Sequence, residues 1–193
     1  ENDPAFQKPT KPVGAFYDKA TAERIAAEKG YTMVEDAGRG YRQVVPSPKP
    51  VDVIEKNTVR ALINGGCVVI TVGGGGIPVV RRDGKLYGTP AVIDKDFASA
   101  KLAELVQADA LVILTAVEKV AVNFGKPDQK WLDSLTPDEA CKYMEEGHFA
   151  PGSMLPKVRA AVSFAKTGGQ AIIASLAQAG AAVRGEAGTV VHL

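Results

Sequence analysis

The stretch VVITVGGGGIPVV, residues 68–80, sets four consecutive glycines between two apolar runs rich in β-branched residues. Residues 67–72 predict a buried strand, because an unbroken apolar run is typical of a strand covered on both faces. The glycines then predict a loop at the carboxyl end of that strand, where α/β sheets bind ligands. A tight turn with positive φ needs only one or two glycines, whereas bare amides can converge on an anion. Four glycines favour the close approach of a ligand.

Two common phosphate-binding motifs do not fit this loop. The P-loop and the dinucleotide fingerprint both require glycines that open a helix, whose N-terminus then holds the phosphates. Here the loop runs into Ile77 and Pro78, and then into a predicted hairpin with its turn at Asp83 and Gly84. The sequence therefore excludes both motifs at this position.

Helical and strand patterns alternate along the rest of the chain. Apolar strand patterns are ALVILTAV, GQAIIA and GTVVHL, and helices are predicted to start near Asp18, Ile54, Asp94, Thr136 and Ser153. This alternation predicts an α/β fold with a mainly parallel sheet sandwiched between helices. A hairpin is predicted around residues 37–40. Residues 1–17 and the segment around Asn123 are predicted to be irregular loops.

Composition excludes several classes of protein. The 193 residues carry a formal net charge of +1, so the basic excess that supplies nucleic-acid or membrane-surface affinity is missing. No apolar run approaches membrane-spanning length, and no His, Cys or carboxylate spacing predicts a metal site. The two cysteines, Cys67 and Cys141, are predicted to be buried thiols in a reducing cytosol.

Two lysines stand where a cation is locally unfavourable. Lys95 lies in the first turn of a predicted helix with Asp94 as its N-cap, and Lys157 lies in the first turn of another with Ser153 as its N-cap. A helix N-terminus already carries about half a positive charge. An anion held between the two lysines, such as a phosphoryl group, would explain both positions, with Asp96 orienting the ammonium groups. The alternative is that each lysine extends into solvent.

An ordered set of segments resembles the carbamate kinases of the amino-acid kinase superfamily. The segments cover nearly the whole chain and are NDPAFQKPTKPVGAFY, EDAGRGYRQVVPSPKP, GGGGIPVV, AVIDKDFASA, ILTAVEKVAVNFGKP and GHFAPGSMLPKVRAA. The resemblance implies reversible phosphoryl transfer between ATP and carbamate, usually running toward ATP, with Mg²⁺ held mainly by the nucleotide phosphates. It also implies a cytoplasmic homodimer in arginine metabolism. A small protruding subdomain would comprise residues 1–48, and a nucleotide-binding α/β domain residues 49–193.

The resemblance also implies roles for particular residues. Lys95 and Lys157 would contact the transferring phosphoryl group, while Asp94 and Asp96 would shape the site and hold the lysines. Lys11 would reach the substrate from the protruding subdomain, beside Gly74 and Gly75. The nucleotide would be bound by three short stretches, which contain Thr115, Ala116 and Val117, then Asn123 and Lys126, then Gly152, Ser153 and Met154.

One family feature is missing, and alternatives stay open. Carbamate kinases carry a further glycine-rich GGN-type loop in an N-terminal section, and nothing in these residues matches it. We therefore expect a C-terminal portion that binds nucleotide weakly and does not turn over alone. The alternatives are an acetylglutamate- or uridylate-type kinase, or a non-catalytic nucleotide-binding module. The PTKP and PSPKP segments argue against the first, and retention of both lysines argues against the second.

Overall fold

The computed structural model describes residues 1–36 and 38–193 and contains six α-helices and eleven strands within them. The helices are α1 (Lys19–Lys29), α2 (Lys56–Asn64), α3 (Lys95–Val106), α4 (Pro137–Glu145), α5 (Met154–Ala165) and α6 (Ala179–Val183). The strands are β1 (Lys11–Tyr17), β2 (Met33–Glu35), β3 (Tyr41–Val45), β4 (Val79–Arg82), β5 (Lys85–Gly88), β6 (Ala110–Thr115), β7 (Val120–Val122), β8 (Lys130–Leu132), β9 (Ser134–Leu135), β10 (Gln170–Ser175) and β11 (Thr189–Val191).

The chain divides into two compact units. The first consists of Glu1–Lys49 and Gly74–Asp94, and the second of Pro50–Gly73 and Lys95–Leu193. The structure thus groups Gly74–Asp94 with the N-terminal residues. The sequence instead predicts a single boundary after residue 48, with all later residues in the second domain. The functional labels of the two predicted domains stay predictions.

The first unit is built on an antiparallel sheet with the order β1-β3-β2. The hairpin predicted around residues 37–40 is confirmed by the β2–β3 pairing, and Ala37 itself lies outside the described residues. Helix α1 begins after Asp18, whose carboxylate accepts from the Thr21 amide, and ends at Gly30 with φ of 67°. The predicted irregular loop over residues 1–17 is wrong from Lys11 onward, because β1 pairs with β3. Pro12 is tolerated there since β1 is an edge strand.

A cluster of charged and aromatic side chains fastens the β2–β3 hairpin to β1. The guanidinium groups of Arg39 and Arg42 lie 4.9 and 4.8 Å from the centre of the Phe16 ring. Both also donate to Asp36, at 3.0 and 3.3 Å. Loss of hydration at Asp36 acts to raise its pKa, but hydrogen bonds from Arg39 and Arg42 outweigh it and lower the pKa.

The second unit confirms the predicted α/β class. Its four-stranded sheet has the order β6-β10-β11-β9, in which β6–β10 and β9–β11 pair in parallel and β10–β11 antiparallel. One face of β10 contributes Ala171 and Ile173 to the main core with α3 and α5. The opposite face packs Ile172 and Ala174 against Ala182 of α6. The alternation along β10 therefore places helices on both faces of the sheet.

The predicted strand over residues 67–72 and the predicted burial of Cys67 are wrong. Residues 67–72 form no strand, because no strand of the described residues pairs with them, and the Cys67 thiol is exposed rather than buried. Cys141 is only partly buried. The loop predicted around Asn123 is confirmed, because these residues form the turn of the antiparallel β7–β8 hairpin. None of the described helices combines the length and the apolar character needed to cross a lipid bilayer.

Candidate active site

Two neighbouring helix–strand pairs of the second unit are α3 with β6 and α5 with β10. We call the edge of the sheet at which β6 and β10 end its carboxyl edge. Three residues connect α3 to β6, and four connect α5 to β10. Such short connections turn the chain back, so the N-terminus of each helix lies near the carboxyl end of its strand. Strands β6 and β10 are parallel, with Thr115 opposite Ser175 at their last pair. Both helix N-termini therefore lie at the edge of the sheet where α/β proteins bind ligands.

The carboxylate of Asp96 holds both predicted lysines at this edge. Its Oδ1 accepts from Lys95 Nζ at 2.7 Å, and its Oδ2 accepts from Lys157 Nζ at 2.9 Å. The Asp96 side chain is 9% exposed and that of Lys157 is 12% exposed, whereas Lys95 is 61% exposed. The structure thus brings together two ammonium groups from the first turns of two helices.

Positive charge is concentrated at this cluster. Two ammonium groups contact the Asp96 carboxylate, and the N-terminal ends of α3 and α5 add partial positive charge, which favours an anion. Lys157 does not extend into solvent, since it is nearly buried against Asp96. Lys95 also binds Asp96 but keeps most of its surface accessible to a ligand. The arrangement can bind a phosphoryl group and stabilise charge during its transfer.

In the first unit, Asp94 holds the third predicted lysine. Lys11 Nζ, on β1, donates to Asp94 Oδ2 at 2.5 Å, and the Asp94 side chain is 12% exposed. Asp94 directly precedes α3, as predicted for its N-cap position. Ser153 occupies the N-cap position of α5, but its side chain makes no capping hydrogen bond. The two predicted carboxylates therefore contact all three predicted lysines.

The glycine loop has a structural explanation at three of its four positions. Gly74, Gly75 and Gly76 adopt φ of 66°, 103° and 80°, a region that side chains rarely occupy. A Cβ on Gly75 would stand 2.0 Å from the carbonyl oxygen of Ile93, so backbone approaches backbone here. No neighbouring atom lies within 4 Å of a Cβ built at Gly73, Gly74 or Gly76. Positive φ and the contact with the Ile93 backbone account for Gly75 without a ligand, and the approach of a ligand to the loop stays a prediction.

The predicted nucleotide-binding residues lie on three separate loops of the second unit. Thr115 ends β6 and is followed by Ala116 and Val117. Asn123, at φ of 52°, donates its side-chain amide to Asp128 at 2.6 Å, in the same hairpin turn as Lys126. Gly152 and Ser153 directly precede α5, which begins at Met154. Their role in nucleotide binding stays a prediction.

Two hydroxyl groups at this end of the fold are not predicted from the sequence. Ser175, beside Thr115, ends β10 after four apolar residues, and its hydroxyl donates to the side chain of Gln178 at 3.2 Å. Thr189 is fully buried on β11, where its hydroxyl accepts from the Val120 amide at 2.8 Å and donates to the Leu132 carbonyl at 2.5 Å. In the sequence, both residues could be recognised as polar residues at the end or the beginning of an apolar strand pattern. Thr189 fixes the β7–β8 hairpin to the sheet.

A cleft of about 450 Å³ lies at the opposite end of the two helix–strand pairs. It is lined by Ala103, Glu104, Gln107, Ala108, Asp109, Phe164, Thr167, Gly168 and Gly169. Two carboxylates and no cation line it, so it is unsuited to a phosphate. No group of three or more metal-ligating side chains occurs among residues 1–36 and 38–193.

The layered α/β fold, with cations at the carboxyl edge of its sheet, is the architecture of a ligand-binding α/β protein. Residues 15–175 match the model of the amino acid kinase family, so the chain belongs to that family. It is 60% identical over 191 residues to the carbamate kinase of Clostridium perfringens, covering 98% of this chain and 61% of that protein.

Solved structures are also similar to this chain over nearly its whole length. A protein of Aeropyrum pernix K1 superposes with a TM-score of 0.91 at 46% identity, covering 99% of this chain and 62% of that one. Carbamate kinase of Giardia lamblia bound to AMP-PNP superposes with a TM-score of 0.87 at 44% identity, covering 99% and 61%. The chain thus spans about three-fifths of the length of these relatives.

Proposed function

We propose that this chain supplies the phosphoryl- and nucleotide-binding part of a carbamate kinase, which interconverts ATP and carbamate with ADP and carbamoyl phosphate. The observation that carries the proposal is the bridge from Lys95 through Asp96 to Lys157 at the carboxyl edge of the sheet. The carbamate kinases similar to this chain in sequence and structure support it.

In the direction of ATP synthesis, a β-phosphate oxygen of ADP attacks the phosphorus of carbamoyl phosphate. The bond between that phosphorus and the carbamoyl oxygen breaks, and carbamate leaves with the bonding electrons. Lys95 and Lys157 neutralise the oxygens of the migrating phosphoryl group, whose transfer depends on positioning and charge stabilisation. Both the attacking phosphate oxygen and the leaving carbamate oxygen are anionic near neutral pH. The reaction therefore needs no general base.

Asp96 and Asp94 act as positioning residues in this proposal. Asp96 fixes two ammonium groups before the substrate arrives, so little reorganisation is needed when charge develops. Asp94 orients Lys11 in the same way within the first unit. Lys11, Gly74 and Gly75 serve the substrate side. The nucleotide side comprises Thr115, Ala116, Val117, Asn123, Lys126, Gly152, Ser153 and Met154, and the Giardia lamblia relative bound to AMP-PNP supports a nucleotide ligand.

The finer properties belong to the same proposal. Mg²⁺ would be held mainly by the nucleotide phosphates and would neutralise part of their negative charge. The enzyme works as a cytoplasmic homodimer in arginine metabolism, and its net flux runs toward ATP. Small molecules are its substrates. Light scattering on the purified protein tests the dimer.

The experiment that tests the reaction uses a chimera, in which the unmatched part of Clostridium perfringens carbamate kinase is joined to these 193 residues. ATP formation is followed with ADP and carbamoyl phosphate, and with acetylglutamyl phosphate or UDP as alternative phosphoryl donors. We expect turnover with carbamoyl phosphate alone. Turnover with another donor, or nucleotide binding without any turnover, would contradict the proposal.

The 193-residue chain by itself gives a second test. We expect it to bind ADP weakly and to form no ATP from carbamoyl phosphate, because the longer relatives contain polypeptide that it does not supply. ATP formation by the purified chain at the rate of the chimera would refute this expectation.

A further inference from the structure

Two hydroxyl side chains stand next to each other where the parallel strands of the second unit end. Thr115 is the last residue of β6, Ser175 is the last residue of β10, and the two are partners in the parallel pairing. Adjacent strands of a sheet lie about 4.8 Å apart, so partners in register are direct neighbours. The carboxyl edge of the sheet therefore carries a pair of hydroxyl groups.

Both hydroxyl groups belong to the face of the sheet that α3 and α5 cover. Ile113 of β6 and Ile173 of β10 lie in the main core, which these two helices share with the sheet. Side chains two residues apart on a strand point to the same face. The face that carries Ile113 and Ile173 therefore ends, at the carboxyl edge, in Thr115 and Ser175.

The same edge of the same face carries the cations of the candidate active site. The first turns of α3 and α5 contribute Lys95, Asp96 and Lys157, whose side chains are joined through the Asp96 carboxylate. An anion bound by the two lysines is thus close to the ends of β6 and β10. Hydroxyl groups are good donors to phosphate oxygens, and hydrogen bonds to ionised acceptors are about twice as strong as those between neutral groups.

The burial of Ser175 is not explained by a capping role. Its residue is 7% exposed, and it occupies the N-cap position of the short 3₁₀ turn Leu176–Gln178, where its side chain makes no capping hydrogen bond. Its hydroxyl instead donates to the partly buried Gln178 side chain at 3.2 Å, which is long for a hydrogen bond between two oxygens. An ionised phosphate oxygen is a stronger acceptor than this amide, so the hydroxyl can exchange one for the other.

We propose that Ser175 is a further nucleotide-contacting residue, whose hydroxyl donates to an oxygen of the ADP β-phosphate beside Thr115. The inference rests on the proposed function and adds Ser175 to its nucleotide side. The β-phosphate is the relevant group, because its oxygen attacks the phosphorus that Lys95 and Lys157 neutralise. Gln178 is a positioning residue that holds the Ser175 hydroxyl until the phosphate replaces it as the acceptor.

Nucleotide binding to the chimera tests the contact. Calorimetry gives the Kd for ADP and for AMP, which lacks the β-phosphate. We expect Ser175→Ala to raise the Kd for ADP by about 10-fold or more and the Kd for AMP by less than about twofold. The matched control is Ser163→Ala, at an exposed serine in the last turn of α5, which should leave both constants unchanged.

A crystal structure of the unsubstituted chimera with ADP gives an answer that does not depend on any variant. We expect Ser175 Oγ within about 3.2 Å of a β-phosphate oxygen. A separation beyond about 4 Å would overturn the inference, because no hydrogen bond spans it.

The binding data can also contradict the inference. An unchanged Kd for ADP in Ser175→Ala would exclude the contact, and equal losses for ADP and AMP would show that the serine only supports the local structure. Turnover of the chimera with either result would contradict this inference alone. A loss confined to ADP in a chimera that forms no ATP from carbamoyl phosphate would contradict the proposed function alone.

Discussion

Asp96 and Lys157 lie 61 residues apart in the chain, and their side chains meet at 2.9 Å at the carboxyl edge of the sheet. Both side chains are about nine-tenths buried, whereas Lys95, the second partner of Asp96, is 61% exposed. The pair therefore has two consequences. It joins the first turns of α3 and α5, and it holds one ammonium group in place while the other stays accessible.

Removing the shared carboxylate will destabilise the protein. Asp96→Ala leaves Lys157 nearly buried without this partner, and we expect it to lower the free energy of unfolding by about 3 kcal/mol. The control is Glu104→Ala on the same helix, which breaks the more exposed Lys101–Glu104 pair at 2.6 Å. Glu104→Ala should lower the free energy of unfolding by less than about 0.5 kcal/mol. Equal losses in urea denaturation would contradict the structural role of Asp96.

Thr189→Val will loosen the hairpin that carries Asn123 and Lys126. The substitution keeps the shape of the side chain but leaves the buried Val120 amide without its acceptor. We expect a loss of about 2 kcal/mol in the free energy of unfolding, and faster hydrogen exchange in β7 and β8. Thr189→Ser retains the hydroxyl and should preserve the exchange pattern. A valine variant with unchanged exchange would show that the hydroxyl does not hold the hairpin.

Two alanine substitutions separate backbone strain from steric conflict in the glycine loop. The Cβ of Gly76→Ala has no neighbouring atom within 4 Å, so the substitution adds only the strain of positive φ. We expect it to lower the free energy of unfolding by about 1 kcal/mol. Gly75→Ala shares that strain and also brings its Cβ to 2.0 Å from the Ile93 carbonyl oxygen. We expect Gly75→Ala to unfold at a clearly lower temperature than Gly76→Ala. Equal unfolding temperatures for the two variants would show that the loop moves to accommodate the Cβ at residue 75.

The stability of the first unit will depend on pH through Asp36. Its pKa in the folded protein lies below the ordinary value of 3.8, because the hydrogen bonds from Arg39 and Arg42 outweigh its loss of hydration. The stabilisation is therefore complete above pH 3.8 and is lost as the pH falls through the lower folded pKa. Unfolding of the wild type and Asp36→Asn is followed at pH 7 and in acid.

We expect the difference in stability between wild type and Asp36→Asn to shrink in acid. The control is Glu23→Gln on α1, where the Lys19–Glu23 distance is 3.9 Å and both side chains are about 70% exposed. The free energy of unfolding of Glu23→Gln should equal that of the wild type at both pH values. A difference for Asp36→Asn that stays constant with pH would contradict the ion-pair account.

Local signals in the sequence predicted much of this structure. Asp18 and Gly30 bound α1, and Thr136 opens α4 with a capping box. The conflict of Lys95 and Lys157 with the helix dipole predicted an anion between them and Asp96 as the residue that orients them; both lysines contact Asp96, and the bound anion stays a prediction. These signals work because caps and dipoles act within one helical turn.

The failures concern features that depend on distant residues. Residues 67–72 have strand composition, but a strand also needs a neighbour, and none of the described strands pairs with them. The backbone contact that makes Gly75 necessary comes from Ile93, which no local pattern reveals. Thr189 was overlooked because its two hydrogen-bond partners lie on a different hairpin.

The central claim is that Lys95 and Lys157 together stabilise the phosphoryl group in transit, and kcat of the chimera tests it most directly. Lys95→Ala and Lys157→Ala are compared with Lys166→Ala, an exposed lysine at the other end of α5. We predict that each of the first two lowers kcat for ATP formation by about 100-fold or more. The Kd for ADP should stay within a few-fold, and Lys166→Ala should match the unsubstituted chimera. Values of kcat within a factor of about two for all three variants, measured on folded protein, would contradict the claim.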